Sequence, residues 1–424
     1  MKVNIGNDLY LKGRIGWKGL SKDEYLEISD FRIINGYSLK DGYIDWDIAG
    51  YISKERYEES PEIKLKLNDI LISKDGTIGK VGIVRNLVSP TTVASGIFIL
   101  RNIIEDKLDT EYLFQYLKSS NFKAFINAVK ASGSTIIHLY QRDLAKLEID
   151  VPSFSVQKSI SKILFTIDSK IELNKRINAE LEAMAKTLYD YWFVQFDFPD
   201  KNGKPYKTSG GKMVWNEELK REIPEGWEVK LLGSEIEIQR GISYTSKEIN
   251  GDGIPMISLN SFNLDGTYKP EGIKKYSGKY TDKNITLPGD LLIAATDVTR
   301  NADIIGRAIL VPDYYSEDLV FSMDIAKIIS KNIPSSFLMM LFNSNHYHNY
   351  IKWYASGTIV LHLNLDGTKR YNIEMPPKEL LQKYDALYQP IAQRIYKTAI
   401  ENQKLTELRD WLLPMLMNGQ VKVS

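Results

Sequence analysis

Cysteine is absent from the 424 residues, and with it go disulfide frameworks, thiol nucleophiles and thiolate metal sites. Histidine is scarce: only His138, His346, His348 and His362. No apolar run approaches the roughly 18 residues needed to span a bilayer, so no membrane association is expected. The opening Met1-Lys2-Val3-Asn4-Ile5-Gly6-Asn7-Asp8 is too polar for a signal peptide, and a cytoplasmic location is expected. An excess of either charge is also missing, since 55 Lys and Arg stand against 54 Asp and Glu for a net +1. The molecule therefore lacks the strong positive field of an avid nonspecific nucleic-acid binder. Residues 1–154 alone balance in the same way, with 21 basic and 21 acidic groups. What remains, 43% hydrophobic and 26% charged residues, is ordinary globular composition at a length that favours more than one domain.

What the chain does contain is a copy of itself. Ala131-Ser132-Gly133-Ser134-Thr135-Ile136-Ile137-His138-Leu139 returns as Ala355-Ser356-Gly357-Thr358-Ile359-Val360-Leu361-His362-Leu363, an offset of 224 positions. The same offset joins Ile149-Asp150-Val151-Pro152 to Ile373-Glu374-Met375-Pro376, and Asn178, Leu181 and Leu188 to Asn402, Leu405 and Leu412. With small slips, Ile78-Gly79-Lys80-Val81-Gly82-Ile83-Val84 matches Ile305-Gly306-Arg307-Ala308-Ile309-Leu310-Val311. Between these islands the halves diverge, which is the pattern of one scaffold carrying two private contact surfaces.

Each copy opens with short β-like runs broken by Gly, Asn and Asp turns and closes with a long helix after a proline stop. Ser155 to Phe193 contains no Gly or Pro, and Ile160, Ile167, Asn174, Leu181 and Leu188 fall seven apart, with Ile163, Ile177, Met184 and Tyr191 three residues later. The second copy supplies Tyr384, Ile391, Thr398, Leu405 and Leu412, with Leu387, Leu408 and Met415. This is a heptad seam with one polar residue, Asn174 or Thr398, in the middle, where it would set register. Two amphipathic helices packed on their own domains would show similar spacing, but nearly 40 uninterrupted residues exceed what one domain needs. The expectation is that the helices pair with each other, antiparallel, around a pseudo-two-fold axis, holding two readers at opposite ends of a rod. The fold class is α+β: two α/β-type domains, 1–153 and 229–377, with long helices over 154–198 and 378–424 and a linker over 199–228.

Chemistry is hard to find. Gly76-Thr77-Ile78-Gly79-Lys80-Val81 has two residues between its glycines where a phosphate loop has four, and Val81 where Ser or Thr is required. The only Pro-Pro is Pro376-Pro377, with no aromatic beside it. His346 and His348 lack the partners of a metal site. His138 and His362 follow Ser/Thr-rich loops in both copies, which favours a structural or phosphate-contacting role over a serine–histidine pair. Neither a catalytic residue nor a metal or cofactor is expected.

At this point the residues resemble the specificity (S) subunit of Type I restriction-modification systems. The likeness is carried by Gly13 to Leu20, Lys74 to Lys80, Ile171-Glu172-Leu173-Asn174-Lys175-Arg176-Ile177-Asn178, Leu181 to Ala185, Trp192-Phe193-Val194, Gly210-Gly211-Lys212-Met213 and Ile223-Pro224-Glu225-Gly226-Trp227. The second helix departs more, with Lys397-Thr398-Ala399 where the first has Leu173-Asn174-Lys175. The resemblance implies a non-catalytic DNA-recognition subunit of an adenine-methylating restriction complex. One target-recognition domain would read each half of a bipartite, asymmetric sequence on double-stranded DNA. The helices would bind two methyltransferase (M) subunits, with restriction (R) subunits completing the enzyme. The competing reading is a two-headed scaffold that binds RNA or protein partners without catalysis.

Under the DNA reading the contacts are expected from polar residues in exposed turns. In the first domain these are Arg14, Trp17, Lys18, Lys74, Thr77, Lys80, Ser132 and Ser134. In the second they are Arg240, Tyr244, Asn260, Ser261, Asn263, Thr299, Arg300, Asn301, Ser356 and Thr358. Helix pairing is expected from Ile160, Ile167, Asn174, Leu181, Leu188, Ile391, Thr398, Leu405 and Leu412.

Overall fold

A computed structural model describes the chain except residues 15–18, 41, 132–137, 250, 300, 314, 316 and 422–424. It forms two compact units, Met1–Lys170 with Leu405–Ser424, and Ile171–Lys404. Each unit takes a share of both long helices.

The first unit is built on a four-stranded antiparallel sheet ordered Tyr10–Gly13, Ile97–Arg101, Ile70–Ser73, Val81–Ile83. Its central strands are apolar up to their last residues, Ser73 and Arg101, because both faces are covered. Ile70, Ile72, Phe98 and Leu100 face the helices Thr110–Lys118 and Ser120–Ala131, whose core they share with Ile160, Leu164, Leu413 and Leu416 of the long helices. Leu71, Ile97 and Ile99 enter a separate core with Ile34, Leu39, Ile63 and Val93. That second core lies under a three-stranded sheet in which Phe31–Ile34 runs parallel to Thr91–Val93 and antiparallel to Gly50–Ile52. Lys2–Asn4 pairs with Glu148–Asp150, tying the chain start to the strand just before the central helix.

The second unit repeats this plan. Its four strands follow the order Ile236–Arg240, Ile325–Ser330, Leu291–Ala294, Ala308–Leu310. Leu291 and Ile293 face one core and Leu292 and Ala294 another. Ile254–Ile257 runs parallel to Leu319–Phe321 and antiparallel to Lys274–Tyr276, and Glu228–Leu231 pairs with Asn372–Met375 as the first copy's terminal strands do. The duplication seen in the sequence is thus a duplication of topology. An aromatic plug closes the central helix: Phe193 meets Phe337 edge-on at 4.8 Å, and Phe196 and Phe198 flank Trp227.

The long helices are Phe154–Tyr189, 36 residues, and Lys378–Met417, 40 residues. The second continues through Pro390 and Pro414, where packing outweighs the interior-proline penalty of about 3 kcal/mol.

The two helices pair antiparallel, and the pairing is isologous. Within the second unit the Asn174 amide donates to Asn402 Oδ1 at 3.0 Å, and the Thr398 hydroxyl donates to Asn178 Oδ1. Asn178 Nδ2 donates to the Ile395 carbonyl at 3.2 Å, and Asn402 Nδ2 to the Ile171 carbonyl at 3.2 Å. Every residue in one bond is the 224-offset equivalent of a residue in the other, the signature of a two-fold axis between the helices.

The seven-residue spacing is right, but one half of the seam is corrected. Ile160, Ile167, Asn174 and Thr398 are buried, and Leu181, Leu188, Ile391, Leu405 and Leu412 are half-buried. Of the residues three positions on, Ile163, Met184, Tyr191, Leu387 and Leu408 are exposed, while Ile177 and Met415 are half-buried. The covered partners lie four positions on: Leu164, Ile171, Ala185, Trp192, Tyr388 and Leu416 line the cores or the pair. Both Ile163 and Leu164 are apolar, so spacing alone does not choose between them.

Candidate nucleic-acid interface

In each unit the turn that joins the two strands of the buried hairpin accepts a hydrogen bond from the segment that follows the Ala-Ser-Gly repeat, at Leu139 in the first unit and Leu363 in the second. In the first unit, Ser73 organises that turn from inside. Its Oγ donates to the Thr77 carbonyl at 2.6 Å and accepts the Lys80 N–H at 2.9 Å, while Gly79 N–H donates to the Ser73 carbonyl. Gly76 and Gly79 take φ of 65° and 84°, a region that favours glycine. The turn so fixed exposes Asp75, Thr77 and Lys80. Lys74 is half-buried, with its ammonium 4.9 Å from the Phe98 ring centroid, and burial lowers its pKa. Its carbonyl accepts the Leu139 N–H at 3.0 Å, and the neighbouring His138 imidazole contacts the Asp75 carboxylate.

The second unit keeps the connection and changes the turn. The Ala295 carbonyl accepts the Leu363 N–H at 2.9 Å, and Thr296 stands opposite His362, which in turn stands opposite Ser356. Here the organiser is Asp297, fully buried, whose carboxylate accepts the N–H groups of Thr299 (2.6 Å), Ile304 (2.6 Å) and Ile305 (2.9 Å). The longer turn presents Val298 and Asn301 to solvent, and the Thr299 hydroxyl accepts the Asp303 N–H. An open groove runs beside it, lined by Asn260, Lys269, Glu271, Lys274, Val298 and Ile304 among others.

The expected contact residues therefore separate. Lys74, Thr77 and Lys80 share one turn of the first unit. Thr299, Asn301, Ser356 and Thr358 gather around one small sheet of the second, with Asn260 across the groove from Val298. Arg240 ends its strand exposed, and Tyr244 accepts a hydrogen bond from Lys274 Nζ at 2.8 Å.

Three residues do not sit as free readers in exposed turns. Arg14 is 1% exposed; its Nε donates to the Val93 carbonyl at 3.0 Å, and burial lowers its pKa. Ser261 is fully buried and its Oγ accepts the Ser258 N–H. Asn263 spends its amide on Thr267 Oγ1 at 2.8 Å, closing a turn. Trp17, Lys18, Ser132, Ser134 and Arg300 lie outside the described residues. Sequence reasoning missed Asp297, Lys269, Lys274 and Val298. An acidic residue among Thr and Val reads as a solvated turn until three amide groups are seen converging on it.

Among the described residues no group of three or more His, Asp or Glu side chains is placed to hold a metal ion. His346 and His348 share one short helix, two residues apart and so on different faces. His348 is buried, and desolvation, helped by Arg307 and Lys352, pushes its pKa down to about 4. No helix among the described residues is long and apolar enough to cross a membrane.

Comparison with known proteins places this geometry. Residues 20–183 and 224–410 match the family described as Type I restriction modification DNA specificity domain. The chain is 28% identical over 376 residues to the Type I restriction enzyme MjaIX specificity subunit of Methanocaldococcus jannaschii, covering 84% of this chain and 78% of that protein. It is 25% identical over 366 residues to the HindI specificity subunit of Haemophilus influenzae, covering 73% and 77%. The fold is shared with a crystal structure of the Type I restriction-modification S subunit from M. genitalium, at a TM-score of 0.62 and 17% identity over 98% of this chain and 95% of that one.

Proposed function

Because the chain belongs to the family of Type I restriction-modification specificity subunits, and is thus a sequence-specific DNA-recognition subunit, we propose that its two domains read the two halves of a bipartite, asymmetric target. The observation that carries this reading is the isologous helix pair, which joins two copies of one topology whose turns differ in length, charge and side chains. In the first domain Lys74 and Lys80 are suited to phosphate and Thr77 to a base edge or phosphate. In the second, Asn260, Thr299, Asn301, Ser356 and Thr358, with Arg240 and Tyr244, offer donors and acceptors of the kind that read base edges. Length of the paired helices sets the number of unread base pairs between the half-sites.

The chain performs no chemistry in this account. Two methyltransferase subunits dock on the long helices, whose outer faces carry exposed Leu173, Met184, Leu387, Leu408 and Trp411, and restriction subunits join the assembled complex. With a net charge of +1 the lone chain binds DNA weakly, and the methyltransferase subunits supply the remaining grip on phosphate. Replacing residues 1–153 by another recognition domain, in a complex reconstituted with its methyltransferase, tests the division of labour. Methylation mapping then shows a change in one half-site only; a change in both halves, or in neither, contradicts the proposal. The pure chain incubated with DNA, magnesium and S-adenosylmethionine yields neither cleavage nor methylation.

A further inference from the structure

The helix pair is two-fold in its polar middle and asymmetric in its charges. Asp168, on the central helix, accepts hydrogen bonds from Arg409 Nη1 of the C-terminal helix (3.1 Å), from Lys118 Nζ (2.9 Å) and from Gln115 Nε2 (2.8 Å), all within the first unit. The 224-residue repeat maps Asp168 onto Ala392 and Arg409 onto Ala185. Both alanines are buried in the core of the second unit. One end of the seam therefore holds a charged cluster where the other holds two methyl groups.

The asymmetry matters because the exchange among Asn174, Asn178, Thr398 and Asn402 is indifferent to which halves meet. Among the described residues, the one unmatched contact in that layer runs from Asn174 Nδ2 to Glu401 Oε2 at 2.8 Å, and the repeat equivalent of Glu401 is Ile177. Two first helices would place Asn174 against Asn178, and two second helices would place Thr398 against Asn402; amides and hydroxyls serve one another in either combination. The charged layer is not indifferent. Two first helices would set Asp168 opposite Ala185, without Arg409. Two second helices would set Arg409 opposite Ala392, leaving a half-buried guanidinium with Asp410 alone. Only unlike halves bring the carboxylate to the guanidinium and alanine to alanine. Removing one partner of a desolvated charge pair penalises the wrong combination more strongly than the right one is rewarded.

We propose that the Asp168–Arg409 pair, seated on Lys118 and Gln115, is the partner-choice element of the helix seam: it selects the unlike half of the chain and rejects the like half of a second copy. The Asn174/Asn178/Thr398/Asn402 layer sets register, and the charged layer sets identity. This assignment does not depend on which DNA is read.

The test starts from the full chain with a protease site inserted in the exposed Lys201–Lys204 turn. Cleaved protein is mixed with a differently tagged copy, allowed to exchange in mild denaturant, and weighed by native mass spectrometry. Unlike pairs exceed the statistical share over like pairs by about tenfold or more. In D168A/R409A that preference falls severalfold, the remainder coming from the packing of Phe193, Phe196 and Phe198 on Phe337 and Trp227. D168N/R409Q, which keeps side-chain size, behaves the same way should the alanine variant fail to reassemble. A statistical mixture from the unaltered chain, or undiminished preference in D168N/R409Q, overturns the assignment.

Discussion

A residue's role here is decided by partners far away in sequence. The Lys74–Lys80 turn was legible because glycines at 76 and 79 and lysines around them are local signals, and the structure exposes Thr77 and Lys80 as expected. Arg14 was misread for the opposite reason. Its partner, the Val93 carbonyl, is 79 positions away, and Gly13-Arg14 looks locally like any exposed turn. His348 gives a measurable consequence of the same kind. Burial holds its folded-state pKa down to about 4, below the ordinary value near 6.5. Between those values the unfolded chain binds the proton and the native protein does not, so this group's contribution is intact above about pH 6.5 and is lost as pH falls toward 4. Denaturant titrations at pH 7 and pH 4.5 check this: in H348N the loss over that interval is smaller than in the unaltered chain by on the order of 2 kcal/mol. Parallel pH profiles for the two proteins would contradict it.

At the scale of elements, the sequence announced two long helices and their seven-residue period but not which face they share. Ile163 beside Leu164, and Leu387 beside Tyr388, make the second seam position degenerate in hydrophobicity, and only the packing of both helices resolves it. The strands were legible for the reverse reason. Ile70-Leu71-Ile72 is apolar without alternation because both of its faces are covered. The seam correction makes opposite forecasts for adjacent residues. Lysine at the exposed position, I163K, changes stability by less than about 0.5 kcal/mol, whereas L164K, which drives an ammonium into the first unit's core, costs at least about 3 kcal/mol. Urea midpoints of the two variants measure this directly, and equal costs would restore the original register.

For the whole molecule the repeat was the informative signal. An offset of 224 residues anticipated two copies of one sheet topology and the exchange of hydrogen bonds between Asn174, Asn178, Thr398 and Asn402. The contacts that differ between the copies were not legible, because divergence between repeats shows where specificity lies without showing which atoms face outward. Asp297 and Ser73, which the 224-residue offset sets opposite each other, do the same work in their turns with different chemistry. The central claim is that the helix pair measures the distance between half-sites. Inserting one heptad after Ala179 and one after Tyr396, which lies opposite it in the antiparallel pair, keeps the seam in phase and lengthens both helices by about 10 Å. With the cognate methyltransferase subunits present, methylation mapping then finds the same two half-sites separated by about three additional base pairs at roughly 3.4 Å each. An unchanged spacer with methylation retained would contradict the account.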